Sequence, residues 1–251
     1  WKTIEGFKVK PYYRAEDLNN LEFLESNPGQ YPYTRGKKAN NNVWDIRQDI
    51  KANDVEEINR LAADAVKRGA TALGLCACKA ETKESMKAML KGINLEEVKI
   101  NFNCSKNMLD TLKLFAEVVK ENGFDATKVA GSCNYDMYGH ALLMGEFKGG
   151  EEACYKMAKE MIEFAEQNLP MMKVLTVNGR HIHNAGSNIV QELGFTLAAA
   201  NDLMAHLTDM GMKVNQVAKN MVFNFATGSN YFMEIAKIRA ASLLWSKIVE
   251  Q

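Results

Sequence analysis

From Asn42 to the C-terminal end, short β-prone runs alternate with amphipathic helical stretches. That alternation confines the chain to an α/β fold with a parallel sheet, because each return to the same strand direction needs a crossover connection. The expected strands are 43–46, 72–78, 98–103, 128–133, 173–178 and 222–225. Helices are expected over 54–68, 83–91, 108–119, 151–167, 189–210 and 231–249, with a short turn at 215–220. In the first helix Val55, Ile58, Leu61, Ala62 and Ala65 share a face, and Gly69 ends it. In the last, Ile235, Ile238, Ser242 and Trp245 fall on one side.

Six such units can lie flat as a doubly wound sheet or form part of a (β/α)8 barrel. No G-x-G-x-x-G turn follows the first strand and no G-x-x-x-x-G-K-[ST] loop occurs. The nucleotide-binding flat sheet therefore loses its main support, and a (β/α)8 TIM barrel with about six of its eight βα units is expected over 34–251. Residues 1–33 hold three of the four prolines, Pro11, Pro28 and Pro32, among Tyr12, Tyr13, Tyr31 and Tyr33. They read as an extended arm with at most a short helix at 16–25. Because the chain opens on Trp1 and supplies six strands, it is expected to be a fragment whose barrel continues beyond Gln251.

Charge narrows the partners. With 31 basic and 31 acidic side chains the formal net charge is zero, so no long-range field favours nucleic acid or an anionic membrane. No apolar run approaches the roughly 20 residues of a transmembrane helix, and a cytoplasmic location is expected. Five cysteines, Cys76, Cys78, Cys104, Cys133 and Cys154, sit in apolar runs. Their spacing predicts free thiols in a reducing compartment rather than a disulfide framework.

In barrels, reactive groups gather at the carboxyl ends of the strands, here Cys78, 103–105, 133–136, 178–183 and 224–230. His181 and His183 form an H-x-H whose side chains would share a direction if extended. With Cys78, Cys104 and Cys133 on neighbouring strand ends, that permits a metal-site reading, although no third histidine or carboxylate stands at a diagnostic spacing. Arg180 and His181 could instead meet an acidic or carbonyl-bearing substrate. Asp45 and Arg47 could pair within the first strand, with Gln48 beside them.

Residues 225–240, Phe-Ala-Thr-Gly-Ser-Asn-Tyr-Phe-Met-Glu-Ile-Ala-Lys-Ile-Arg-Ala, followed by Leu244-Trp245, closely resemble the sixth strand end and helix of cobalamin-dependent acyl-CoA mutases. Pro32-Tyr33-Thr34-Arg35-Gly36 with Ile46-Arg47-Gln48, and Gly179-Arg180-His181 with Ala185-Gly186, match the same family in the same order. The resemblance covers nearly the whole chain and is weakest over the second to fourth strands. It implies a (β/α)8 barrel that threads a CoA ester along its axis. It also implies a separate cobalamin domain and a radical interconversion of methylmalonyl-CoA and succinyl-CoA, a step of propionate metabolism, in which adenosylcobalamin supplies the difficult chemistry. Tyr33, Thr34, Arg35, Gln48, Asn134, Arg180 and His181 are the substrate-binding positions that the resemblance carries over, as vestiges.

Three departures matter. Catalytic members carry a tyrosine between the Thr-Arg-Gly and Ile-Arg-Gln motifs, where this chain has Lys37-Lys38-Ala39-Asn40-Asn41-Asn42. Met144 stands where they have a carboxylate-binding arginine, and a thioether cannot pair with a carboxylate. Cys78-Lys79-Ala80-Glu81 replaces their Thr-His-Arg-Gly. The combination resembles the small, non-catalytic subunit of heterodimeric methylmalonyl-CoA mutases. It implies a catalytic large subunit as partner, adenosylcobalamin held by that partner, no catalytic residue beyond a vestigial His181, and no cobalamin-type domain, since D-x-H-x-x-G is absent from these residues. An independent mutase of altered specificity and a metal-dependent barrel hydrolase using His181 and His183 are the alternatives.

Overall fold

The strands that form are Arg47–Asp49 (β1), Ala72–Cys76 (β2), Lys99–Cys104 (β3), Ala130–Tyr135 (β4), Met171–Asn178 (β5) and Met221–Asn224 (β6) in a computed structural model that describes residues 1–22, 24–104 and 107–251. They make one sheet in the order β1-β2-β3-β4-β5-β6, and the pairs from β1–β2 to β4–β5 are all parallel. This order decides between the two expected architectures. A doubly wound sheet reverses its strand order at a switch point, whereas a barrel runs sequentially. The sheet is that of part of a (β/α) barrel.

The α-helices among the described residues are Val55–Lys67 (α1), Lys83–Met89 (α2), Met108–Glu121 (α3), Met137–Met144 (α4), Glu151–Asn168 (α5), Gly179–Asn184 (α6), Ile189–Asp209 (α7), Val214–Lys219 (α8) and Tyr231–Glu250 (α9). Their starts are written in the sequence. The side chains of Asp54, Thr82, Asn107 and Asp136 each accept a backbone N–H of the first turn they precede, satisfying donors that have no partner inside the helix.

Two compact units share the chain. One comprises 44–177 and 203–222, the other 1–43, 178–202 and 223–251. In the first of these, strand alternation separates two chemistries. Ile100, Phe102 and Cys133 are buried, while Asn101, Asn103, Ser132 and Asn134 between them stay partly accessible. Phe102 meets Phe115 of α3 edge to face, with ring centroids 5.2 Å apart, the geometry that ring quadrupoles favour.

Several local expectations shift. The run 43–46 is not the first strand: Val43 and Trp44 are about 70% exposed, and pairing with β2 starts at Arg47. The apolar residues there set a propensity that no partner strand rewards. Asp45 pairs with Lys99 at 2.7 Å instead of with Arg47. The arm's helix shrinks to a 3-10 turn at Ala15–Leu18, α4 forms over a stretch to which no element was assigned, and α6 forms where the H-x-H reading took an extended segment. The side of α9 carrying Ile235 and Ile238 is exposed, while Glu234 and Lys237 are buried.

Truncating Phe115, which is fully buried, is expected to destabilise the fold by about 3–5 kcal/mol through lost transfer energy and a residual cavity. Urea denaturation of Phe115→Ala, read by circular dichroism, checks this.

Candidate functional site

The motif that carries the family resemblance builds the buried charge cluster of the unit formed by 1–43, 178–202 and 223–251. The Lys237 side chain is wholly buried, with its Nζ 2.8 Å from Glu192 Oε2 and 2.7 Å from Glu234 Oε2. Nζ also donates to the Ala226 carbonyl at 2.6 Å and lies over the Phe225 ring. The carboxylates use their other oxygens on the loop before α9: Ala226 N–H donates to Glu192 Oε1, and Gly228 N–H to Glu234 Oε1. Both ends of the segment 226–228 are thus pinned to charges on α7 and α9. Burial by itself would lower the Lys237 pKa, but the hydrogen bonds and charges of Glu192 and Glu234 outweigh it and hold the ammonium above its ordinary value. Burial likewise opposes ionisation of Glu234. The Lys237 hydrogen bond, the Gly228 N–H and the field of Lys237 and His183 still bring its carboxyl below the usual range.

The arm ends against α9 in the same unit. Tyr31 Oη donates to Glu250 Oε2 at 2.5 Å, and Arg239 Nε donates to the Thr34 carbonyl at 2.8 Å. Tyr33, Thr34, Arg35 and Gly36 line a groove of about 290 Å³ with Ile238, Arg239 and Ser242. Two guanidinium groups and three hydroxyls give this groove the donors an anionic or carbonyl ligand needs.

Arg180, His181 and His183 lie in α6, so the two histidines are two residues apart on a helix and do not share a direction. The extended H-x-H reading is corrected accordingly. His183 Nδ1 stands 3.5 Å from Glu192 Oε2, beside the buried ion cluster. Gly179, the first residue of α6, sits at a close approach where a Cβ would fall 2.4 Å from Thr196 Oγ1.

Gln48 and Asn134 belong to the other unit. Gln48 is exposed on β1, its amide donating to the carbonyl of Asp49. Asn134 donates from Nδ2 to the Asn103 carbonyl at 3.1 Å. Around it a polar network covers the accessible side of the sheet: Arg47 donates to Asp49 at 2.8 Å and to Asn103, and Ser132 donates to Asn101 at 2.7 Å. Gly74 makes room for it, since a Cβ there would lie 1.8 Å from Asp49 Oδ1. Met144, the last residue of α4, is exposed. Ser105 lies outside the described residues.

The cysteines depart from expectation. Cys133 is fully buried and its thiol is pushed up to about 12 by burial, which makes it a core residue. Cys76 and Cys104 are joined by a disulfide, against the prediction of free thiols. The pairing register slips between Leu75 and Cys76 and sets Cys76 opposite Cys104, an irregularity that spacing alone does not reveal. Among the described residues, the groups of three or more potential metal ligands include neither His181 nor His183. The Lys237–Glu192–Glu234 cluster was also missed by sequence reasoning, though Glu234 and Lys237 at i and i+3 inside an otherwise apolar stretch were its visible trace.

Sequential strands with polar ends, and a helix-borne ion cluster locking the loop after β6, define a protein of the (β/α)-barrel class. The chain belongs to the methylmalonyl-CoA mutase family, whose model matches residues 2–83 and 72–251. It is 41% identical over 252 residues to the methylmalonyl-CoA mutase small subunit of Porphyromonas gingivalis, covering 99% of this chain and 40% of that protein. It is 29% identical over 277 residues to the methylmalonyl-CoA mutase of Cereibacter sphaeroides, covering all of this chain and 39% of that one. With the methylmalonyl-CoA mutase large subunit of Streptomyces virginiae the identity is 27% over 277 residues, again covering all of this chain and 38% of the relative. The chain spans about 40% of the length of these curated relatives.

Lys237→Ala would leave two carboxylates buried without their cation and is expected to cost about 3–5 kcal/mol. The pH dependence has a definite sign. Glu234 is lowered in the folded state, so its contribution is complete above its unfolded value and is lost as pH falls through the folded one. Lys237 is raised, so its contribution is complete below its unfolded value and is lost as pH rises through the folded one. Urea midpoints of wild type and Lys237→Ala from pH 3 to pH 8 are expected to converge toward the acid end.

Proposed function

We propose that this chain is barrel sequence from the small subunit of a heterodimeric methylmalonyl-CoA mutase, and that it supports a catalytic large subunit without performing the isomerisation. The observation that carries the reading is alignment length. The chain of 251 residues meets the Porphyromonas gingivalis small subunit over 252 positions, but the Streptomyces virginiae large subunit over 277. This chain therefore lacks stretches that the large subunit has and shares its shortened form with the small one. The segment 37–42, where catalytic members are expected to carry a tyrosine, offers only lysine, alanine and asparagine. Without that tyrosine and with Met144 in place of an arginine, a pre-organised radical site loses the groups that position and balance substrate.

In this reading the chain does not itself hold adenosylcobalamin. His206 stacks on Tyr155 with centroids 4.2 Å apart and His183 faces Glu192, so neither is set to ligate a cobalt ion. The cofactor belongs to the large subunit in this reading. The groove at Tyr33, Thr34, Arg35 and Arg239 is in this reading a remnant of CoA-ester binding, and Gln48, Asn134, Arg180 and His181 are each vestigial substrate positions within their own unit. Retention of His181 and of that groove favours the second reading, an independent mutase of altered specificity.

Residues 1–33 serve as a contact arm in front of the barrel segment 34–251. Trp1, Ile4, Tyr12 and Tyr13 are all more than 60% exposed, and aromatic anchors of this kind dominate protein interfaces. Co-expression with a large subunit is expected to give a one-to-one complex, while the small subunit alone gives no turnover of methylmalonyl-CoA. Turnover by the small subunit alone, with adenosylcobalamin added, would instead establish the second reading. Deleting residues 1–22, which spares the Tyr31 and Thr34 contacts to α9, is expected to weaken association about tenfold or more, equivalent to about 1.4 kcal/mol. Calorimetric titration of the two subunits measures it.

A further inference from the structure

Three sulfurs meet where β2 and β3 end. Pairing runs Leu73 with Ile100, Gly74 with Asn101 and Leu75 with Phe102, then slips so that Cys76 stands beside Cys104 and Asn103 is passed over. The two Cα atoms are 4.9 Å apart. Immediately after Cys76 the chain turns through a 3-10 helix, Ala77–Lys79, which carries Cys78 back toward the pair. One ligand atom each from Cys76, Cys78 and Cys104 lies within 4.8 Å of the others, and none of the three residues is buried. A disulfide needs two cysteines. The third, held in contact by a turn, has no part in it.

We propose that reduced Cys76, Cys78 and Cys104 form a binding site for one zinc-class cation, with the Cys76–Cys104 disulfide as its metal-free, oxidised state. Thiolate sulfurs select soft or borderline d10 ions, zinc among them, over magnesium or calcium. At a Zn–S distance of about 2.3 Å in a tetrahedron the sulfurs stand about 3.8 Å apart, so small side-chain rotations bring the trio to ligand spacing once the disulfide opens. The steps balance. A dithiol reductant gives two electrons and two protons to the disulfide, yielding two cysteine thiols and the oxidised reductant. Zinc then displaces one proton from each of the three thiols, and water completes the fourth position. In a reducing compartment the open, metal-binding state prevails. The site stands on these three residues alone and does not depend on the mutase reading.

The full chain, treated with a dithiol and desalted without oxygen, is titrated with cadmium while the thiolate-to-metal charge-transfer band is followed. Zinc affinity is then measured by competition with a chromophoric chelator. One equivalent of either metal is expected, with release of three protons per ion at a pH below the thiol range. Removing even an outer-shell partner weakens metal sites about 10- to 100-fold, so C78S is expected to lose at least about tenfold in affinity. That variant keeps the disulfide pair and so isolates the third ligand from any effect on folding. C76S and C104S are expected to lose as much, and C154S nothing. The proposal is overturned if the reduced chain binds no stoichiometric metal, or if C78S binds as tightly as the wild type.

Discussion

The wholly buried ammonium of Lys237 is the interaction on which the unit built from 1–43, 178–202 and 223–251 depends. An isolated charge out of water costs far more than a domain's net stability, so it persists only when partners surround it. Here two carboxylates and a backbone carbonyl do so, and each carboxylate also fixes a backbone N–H of the loop between β6 and α9. The arrangement therefore specifies geometry more than it adds stability, since a buried pair roughly offsets its own desolvation while a broken one is ruinous. It also explains why α9 turns Ile235 and Ile238 outward: the buried side is occupied by Glu234 and Lys237.

This explains which parts of the fold could be read in advance. Helices α1 and α3 were legible to within a few residues because their apolar period and capping residues agree, whereas the bounds of α9 were legible but its buried side was not. The first strand was misplaced because Val43 and Trp44 have high β-propensity without a partner to pair with, while the true strand, Arg47-Gln48-Asp49, is polar throughout. A strand whose side chains join a hydrogen-bonded network on an open sheet face leaves no hydrophobic alternation to find. Helix α6 was missed for a related reason. Gly179-Arg180-His181 opens on a glycine and carries no apolar period, so nothing in it marks a six-residue helix.

The site was less legible than the fold. The motif residues were identifiable one by one, but their roles follow from contacts separated by tens to hundreds of residues, as in Arg239 with Thr34 and Lys237 with Glu192. The motif best suited to recognising the family, 225–240, therefore supplies a structural lock as well as a strand end. Its retention says that the fold is required and is silent about catalysis. The same holds in reverse for 37–42, where nothing in the packing compensates for the expected tyrosine, because the segment is exposed and carries no aromatic ring.

In the proposed role of a non-catalytic subunit, the chain would keep what holds its shape and lose constraint elsewhere. The ion lock, the capped helices and the Phe102–Phe115 contact hold that shape. The ends of β2 and β3 would be where constraint is lost. Cys78-Lys79-Ala80-Glu81, where the family resemblance implies Thr-His-Arg-Gly, places a sulfur where a register slip sets two others side by side. Polar strand ends in a barrel are the positions where new chemistry costs the fold least, because the apolar side of the same strands carries the packing. In this chain that division is visible within β3 itself: Ile100 and Phe102 hold the core while Asn101, Asn103 and Cys104 stay accessible.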